Sequence, residues 1–278
     1  MTRGREAALL LQEAARARRA ARTDRLRILV LQGLLLALFL GGWAWASGRV
    51  LDRLFLSDPV SVARAFWTIL MKGTLWFHLR FTLTETLLGY LIGAALGLAG
   101  ALAVSMIPAG ESVLRPFVLV AYATPKIALA PLMIIWFGIG MLPKVLLAAT
   151  FVFFVVFLST LAGVATVPPQ LVSVVRVMGA APLSVFRKVV LPSALPFIVT
   201  ALRITIPAAL IGAIIGEFIS SNRGVGYLIN AASSRYATAE VFAGIGSLLV
   251  VVLCMNAALS LLERSWFRWA PRDPIVTR

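Results

Sequence analysis

Six long apolar runs, at about residues 28–46, 79–106, 116–137, 144–166, 196–219 and 241–262, govern what this chain can fold into. Each is close to the ~20 apolar residues that one helical crossing of a bilayer needs. Backbone inside hydrocarbon must also satisfy its own hydrogen bonds, and a helix does so within one segment. The pattern therefore predicts an all-α integral membrane protein with about six transmembrane helices. Composition agrees: only 13% of the 278 residues are charged and 60% are hydrophobic, whereas a soluble chain carries roughly 25% charged residues.

The net charge of +15 lies in the tails and between the apolar runs. That is where residues held on the cytoplasmic side belong, and it argues against a basic patch for nucleic acid. With the N-terminus placed in the cytoplasm, sixteen Lys and Arg fall on inner segments and seven on outer ones, Lys144 and Arg223 among the seven. Both termini are then cytoplasmic. Eight arginines in residues 1–27 precede the first run, and Ala44-Trp45-Ala46 after it resembles a signal cleavage site. The basic region is long for a signal, and Trp43 and Trp45 suit an interfacial belt. Residues 28–46 thus read as a retained span and residues 1–27 as a basic cytoplasmic tail, either an amphipathic surface helix or solvated chain. One cysteine, Cys254, and one histidine, His78, predict no metal site and no nucleophilic triad.

Within the runs, Gly89, Gly93 and Gly97 have the small-xxx-small spacing that lets helices approach closely in lipid. Asp58-Pro59 reads as a helix start. Pro125 and Pro131 interrupt the third run, and the fifth holds Pro207, Gly212 and Gly216. These mark irregular backbone, which is tolerated at membrane depth only where protein or a water-filled path covers it. Among the ionisable residues in spans, Arg80 and Arg203 are placed to snorkel, Glu85 to pair with Lys126, and Glu217 to pair with Arg223. Lys126, Pro207, Gly212, Gly216 and Glu217 are the candidates for a translocation path or gate, with Lys126 as a pathway cation for an anionic solute.

Residues 167–195 are too polar and too broken to span. Pro168-Pro169 starts a short helix, Gly179 allows a left-handed cap, Pro182 opens a second helix with Phe186, Val189 and Val190 on its apolar side, and Leu191-Pro192 ends it. Two short helices at an angle make a rigid projection, a handle by which a soluble motor can move a membrane protein.

This stretch resembles the cytoplasmic loop of binding-protein-dependent ABC transporter permeases, whose pattern is Glu-Ala-Ala, three residues, Gly, nine residues, Ile, one residue, Leu-Pro. Here Gly179 is followed after nine residues by Val189 and then by Leu191-Pro192, while Ser173-Val174-Val175 stands where Glu-Ala-Ala is usual. Residues 125–131 (Pro-Lys-Ile-Ala-Leu-Ala-Pro), 136–140 (Trp-Phe-Gly-Ile-Gly), 216–219 (Gly-Glu-Phe-Ile) and 224–229 (Gly-Val-Gly-Tyr-Leu-Ile) resemble the nitrate/sulfonate/taurine branch. The resemblance covers residues 59–270.

It implies the MetI-like ABC importer permease fold, a homodimer, two cytoplasmic ATPase subunits, an extracytoplasmic solute-binding protein and a bacterial inner membrane. It assigns ATPase coupling to Ser173, Arg176, Gly179, Ala180, Pro182, Val189, Leu191 and Pro192. ATP and Mg would sit on the partner, since the chain has no Gly-x-x-x-x-Gly-Lys-[Ser/Thr] loop and is expected to bind no cofactor. The implied solute is a sulfonate, taurine or nitrate, with a pyrimidine or thiamin precursor or an aromatic acid as the alternative. An ion-coupled secondary transporter would need paired intramembrane acids or an inverted repeat, and a scaffold would need no ATPase handle.

Overall fold

The structure, a computed structural model, describes residues 24, 26–107 and 109–266. The expectations for residues 1–23 and for the C-terminal tail beyond residue 266 lie outside them. The chain divides into two compact units between Arg64 and Ala65.

The first unit holds helix α1, Leu26–Ala46, followed by a turn and the start of α2, Pro59–Met71. Trp43 Nε1 donates to Ser57 O at 2.8 Å and Ser47 Oγ to Leu56 O at 2.6 Å, closing the turn. Asp58 caps α2: its Oδ1 accepts from Ser61 N at 2.9 Å and its Oδ2 from Ser61 Oγ at 2.7 Å. These bonds favour the ionised carboxylate and hold its pKa below the ordinary value. Pro59 follows at the first helical position, where its missing N–H costs nothing.

The second unit contains α3 (Thr74–Ser105), α4 (Gly110–Ala123), α5 (Ala130–Phe137), α6 (Met141–Ala165), α7 (Pro169–Val177), α8 (Pro182–Val185), α9 (Leu191–Ile219), α10 (Val225–Ser234) and α11 (Thr238–Trp266). Its centre is α3, α6 and α9. Gly89, Gly93 and Gly97 lie on the α3 face against α6: a Cβ at Gly89 would stand 2.8 Å from Val145 O, and one at Gly97 2.7 Å from Phe153 O. Below them Ala101 and Val104 pack on Phe157 and Leu161. On the other side Gly212 of α9 meets Ala148 Cα, where a Cβ would come within 2.6 Å. Outward-facing apolar side chains are widely exposed, as lipid-facing residues are.

Three boundaries differ from the sequence reading. The third run is a bent pair: α4 and the segment Lys126–Phe137, a 3-10 turn (Lys126–Leu129) leading into α5, meet at 81°. The break falls at Thr124-Pro125, whereas Pro131 breaks nothing because it occupies the first turn of α5. Leu191-Pro192 does not end a helix. Residues Pro182–Ile219 run as one 38-residue helical stretch, through a π turn at Phe186–Val190. Pro192 has no N–H for the carbonyl of Lys188 and its ring needs room there; the wider turn immediately before it supplies that room. Finally, Pro207 leaves the helix unbroken, and Gly212 and Gly216 are packing positions rather than irregular backbone.

Gly93→Ala should therefore overpack α3 against α6, since the new Cβ would lie 2.8 Å from Val152 Cβ. We expect a loss of about 1–3 kcal/mol, read as earlier thermal unfolding in detergent. Gly100→Ala should cost less, because its Cβ meets only side-chain atoms, a Phe157 ring carbon at 3.3 Å, which must give by a few tenths of an ångström.

Candidate functional site

The functional candidates fall in three places. The first is the projection between α6 and α9. Pro169 opens α7, and Ser173 Oγ donates back to Pro169 O at 3.0 Å, so the hydroxyl that stands in place of a carboxylate is spent on its own helix. Gly179 has φ +84 and ends α7. Its N–H donates to Arg176 O at 2.9 Å and that of Ala180 to Val175 O at 3.2 Å, the paired bonds of a glycine-terminated helix. Pro182 opens α8, Val189 lies in the π turn, and Leu191 and Pro192 start α9. The tip is apolar and bare: Val177 is 89% and Met178 80% exposed.

The second place is a buried polar network at the opposite end of the bundle, where α3, α6, α9 and α10 meet. Glu217 ends α9 beside Gly216. Its Oε1 accepts from Thr82 Oγ1 at 2.7 Å and its Oε2 from Gly226 N at 2.6 Å; Thr82 Oγ1 in turn accepts from Val225 N at 2.8 Å. The carboxylate thus caps the N-terminus of α10, where free N–H groups and the helix dipole favour negative charge. Gly224, at φ +104, has no alternative, since a Cβ there would overlap that carboxylate. Its N–H donates to His78 Nδ1 at 3.1 Å. Lys144 Nζ donates to Glu85 Oε1 at 2.5 Å and to Ser221 Oγ at 3.0 Å. Glu85 and Glu217 are 1% exposed and Lys144 6%.

Two expected pairs are therefore corrected. Glu85 pairs with Lys144, not Lys126, because the glycine face brings α3 onto the first turns of α6. Glu217 pairs with Thr82 and the α10 backbone, not Arg223, whose guanidinium lies 5.1 Å from the Phe81 ring centroid. Lys144, Thr82, His78 and Ser221 were not among the candidates. From the sequence Lys144 reads as an outer-loop charge, and Thr82, three residues before Glu85, is the available signal that one helix face is polar. Among the described residues no group of three His, Cys, Asp or Glu could hold a metal.

The third place is the break before α5. Lys126 Nζ donates to Tyr122 O at 2.8 Å and stands 4.5 Å from the Tyr122 ring centroid, 5.7 Å from that of Phe151 and 5.5 Å from that of Phe154. No carboxylate pairs with it among the described residues. A charge at membrane depth costs at least about 2.5 kcal/mol, and each ring face returns roughly 0.5–1 kcal/mol. Gly212 of α9 packs against the Phe151 ring that also faces Lys126 (a Cβ at Gly212 would stand 3.1 Å from Phe151 Cδ2), whereas Gly216 packs on Lys144 in the polar network.

Residues 89–268 match the family described as binding-protein-dependent transport system inner membrane component. The chain is 34% identical over 241 residues to the "Putative aliphatic sulfonates transport permease protein SsuC" of Bacillus subtilis (strain 168), covering 86% of this chain and 87% of that protein. It is 32% identical to the riboflavin transport system permease protein RibX of Chloroflexus aurantiacus, over 81% of this chain and 85% of that one. It is also 32% identical to the taurine transport system permease protein TauC of Escherichia coli (strain K12), over 85% and 88%. Among solved structures, an inward-facing MetNI methionine ABC transporter chain aligns with a TM-score of 0.54 at 21% identity, over 74% of this chain and 96% of that one. At that identity the likeness bears on fold alone.

Lys144→Met should strand the Glu85 carboxylate in the bundle and cost about 3–5 kcal/mol. Adding Glu85→Gln should recover most of that loss in a double-mutant cycle of detergent unfolding. An additive outcome would mean the two side chains do not act as a pair.

Proposed function

Since the chain belongs to the family of binding-protein-dependent transport system inner membrane components, we propose that it is the membrane-spanning permease of an ATP-driven importer. In this reading it works as a homodimer, its α7–α8 projection seated on a cytoplasmic ATPase, and a binding protein delivers solute at the network end. The observation that carries the reading is the bare apolar tip Val177-Met178, held by the Gly179 turn at the end of the bundle away from the buried network. An exposed apolar pair next to Arg176 suits a protein partner, and Arg176 with Arg187 and Lys188 of the following turn suits the cytoplasmic side. Both chain termini are then cytoplasmic. ATP and Mg are handled by the partner, and this chain performs no hydrolysis.

The relatives are named for different solutes, aliphatic sulfonates and taurine on one hand and riboflavin on the other. We place the solute here among small organic or inorganic anions of the sulfonate, taurine or nitrate class, because Lys126 offers a cation without a carboxylate partner among the described residues. A pyrimidine or thiamin precursor or an aromatic acid is the second reading; a relative named as a formylaminopyrimidine transport permease, 29% identical over 83% of this chain, favours the pyrimidine.

Reconstitution with the cognate ATPase and binding protein tests this. Solute-stimulated ATP hydrolysis should fall by about tenfold or more in Gly179→Pro, because proline cannot adopt φ +84, with the ATPase still co-purifying. Hydrolysis indifferent to both solute and substitution would refute the importer reading.

A further inference from the structure

The break between α4 and α5 leaves two features side by side. One is the Lys126 ammonium, with one donor on Tyr122 O and three rings around it. The other is an apolar groove of about 340 Å³ between α3, α5 and α6, lined by Ile92, Leu96, Trp136, Thr150, Phe153 and Phe154. Phe154 belongs to both: its ring faces Lys126 and also walls the groove.

The bundle contains another intramembrane lysine for comparison. Lys144 is buried and neutralised by Glu85, so its charge is consumed by the fold. Lys126 is only partly buried, and two of its three donors have no protein acceptor among the described residues. It also stands where the chain bends by 81° and the helical ladder is open, the kind of backbone that membranes tolerate beside a cavity. A cation separated from an apolar groove by one shared aromatic ring is complementary to one kind of small molecule, an anionic head with an apolar tail. The groove is at the lower end of small-molecule pocket sizes, which fits a short alkyl chain.

We propose that Lys126 and the α3–α5–α6 groove form a solute-binding site for a short-chain amphiphilic anion, with the head on the Lys126 ammonium and the alkyl tail along Phe154 into the groove. This rests on the anionic-solute reading and extends it: the permease itself would select among anions by the length of their tail.

The test is equilibrium binding of ethane-, butane- and hexanesulfonate to the assembled transporter in nanodiscs of zwitterionic phosphatidylcholine, alongside import of the same compounds into proteoliposomes. Affinity should rise by roughly two- to fourfold per methylene. Lys126→Met should weaken all three by about tenfold and Lys126→Arg should largely preserve them. Thr150→Trp, which fills the groove, should abolish the dependence on chain length while ethanesulfonate still binds. Retained ATPase association controls for folding. Equal affinity of wild type and Lys126→Met overturns the site, as does a chain-length dependence that survives Thr150→Trp. Displacement of hexanesulfonate by anionic phospholipid added to the nanodisc would make the occupant a lipid and overturn the solute assignment. Normal import without saturable binding to the wild type refutes the site and leaves the importer reading standing. Lys126-dependent binding without import upholds the site and refutes the solute reading.

Discussion

The close approach of α3 to α6 is the constraint on which the rest of the bundle depends. Gly89 has Val145 O and Ala148 where a side chain would be. Glu85 lies one turn before Gly89, and Lys144 immediately precedes Val145. The glycine contact thus sets the distance at which a carboxylate on one helix meets an ammonium on the other. At the more usual helix separation of about 8–10 Å, the same two side chains would need to stretch toward each other or stand as separate charges in hydrocarbon. Packing comes first here, and the ion pair follows from it. That order explains why a carboxyl and an amino group survive at almost complete burial: each is desolvated only in the presence of its partner.

The same logic extends to α9 and joins the two ends of the molecule's second unit. Near the projection, Gly163 of α6 faces Phe197 and the Ala194 carbonyl of α9; near the network, Gly212 faces Ala148 and Gly216 faces Lys144. Close backbone contact at both ends leaves α6 and α9 little freedom to slide. A displacement imposed on α7 and α8 is delivered to helices that are clasped along their length, and the far ends of those helices carry the Glu217 cap on α10. The polar network then acts as the fastening of the loop 220–224 and α10 to this body, through Thr82, His78 and two glycines.

Much of this was legible in the sequence for simple reasons. Apolar length located the spans, and Gly89, Gly93 and Gly97 announced a contact face because only backbone proximity requires a glycine every fourth residue. Gly179 between two proline-started helices announced the turn of the projection. Proline was read less well. Pro131 reads as an interruption and Pro207 as irregular backbone, yet one sits in a first turn and the other is absorbed by a continuous helix. Pro192 reads as a stop, yet a π turn accommodates it, and no local pattern signals a π turn. Pairing of charges was not legible either. Glu85 to Lys144 is a contact between residues far apart in sequence, decided by the rotation of two helices about their axes, and a linear reading has no access to that angle.

The two intramembrane lysines show how a structure sorts charges that a sequence treats alike. Each costs free energy to hold in an apolar setting. Lys144 recovers it from Glu85 and Ser221 and disappears into the packing. Lys126 recovers part of it from one carbonyl and three aromatic faces. Those contacts orient the ammonium without an anionic partner among the described residues. A fold that needed only to stop a helix at Pro125 could have done so with an uncharged residue. The remaining charge is the part that folding does not account for, and in the site we propose an anion is the partner that would complete it.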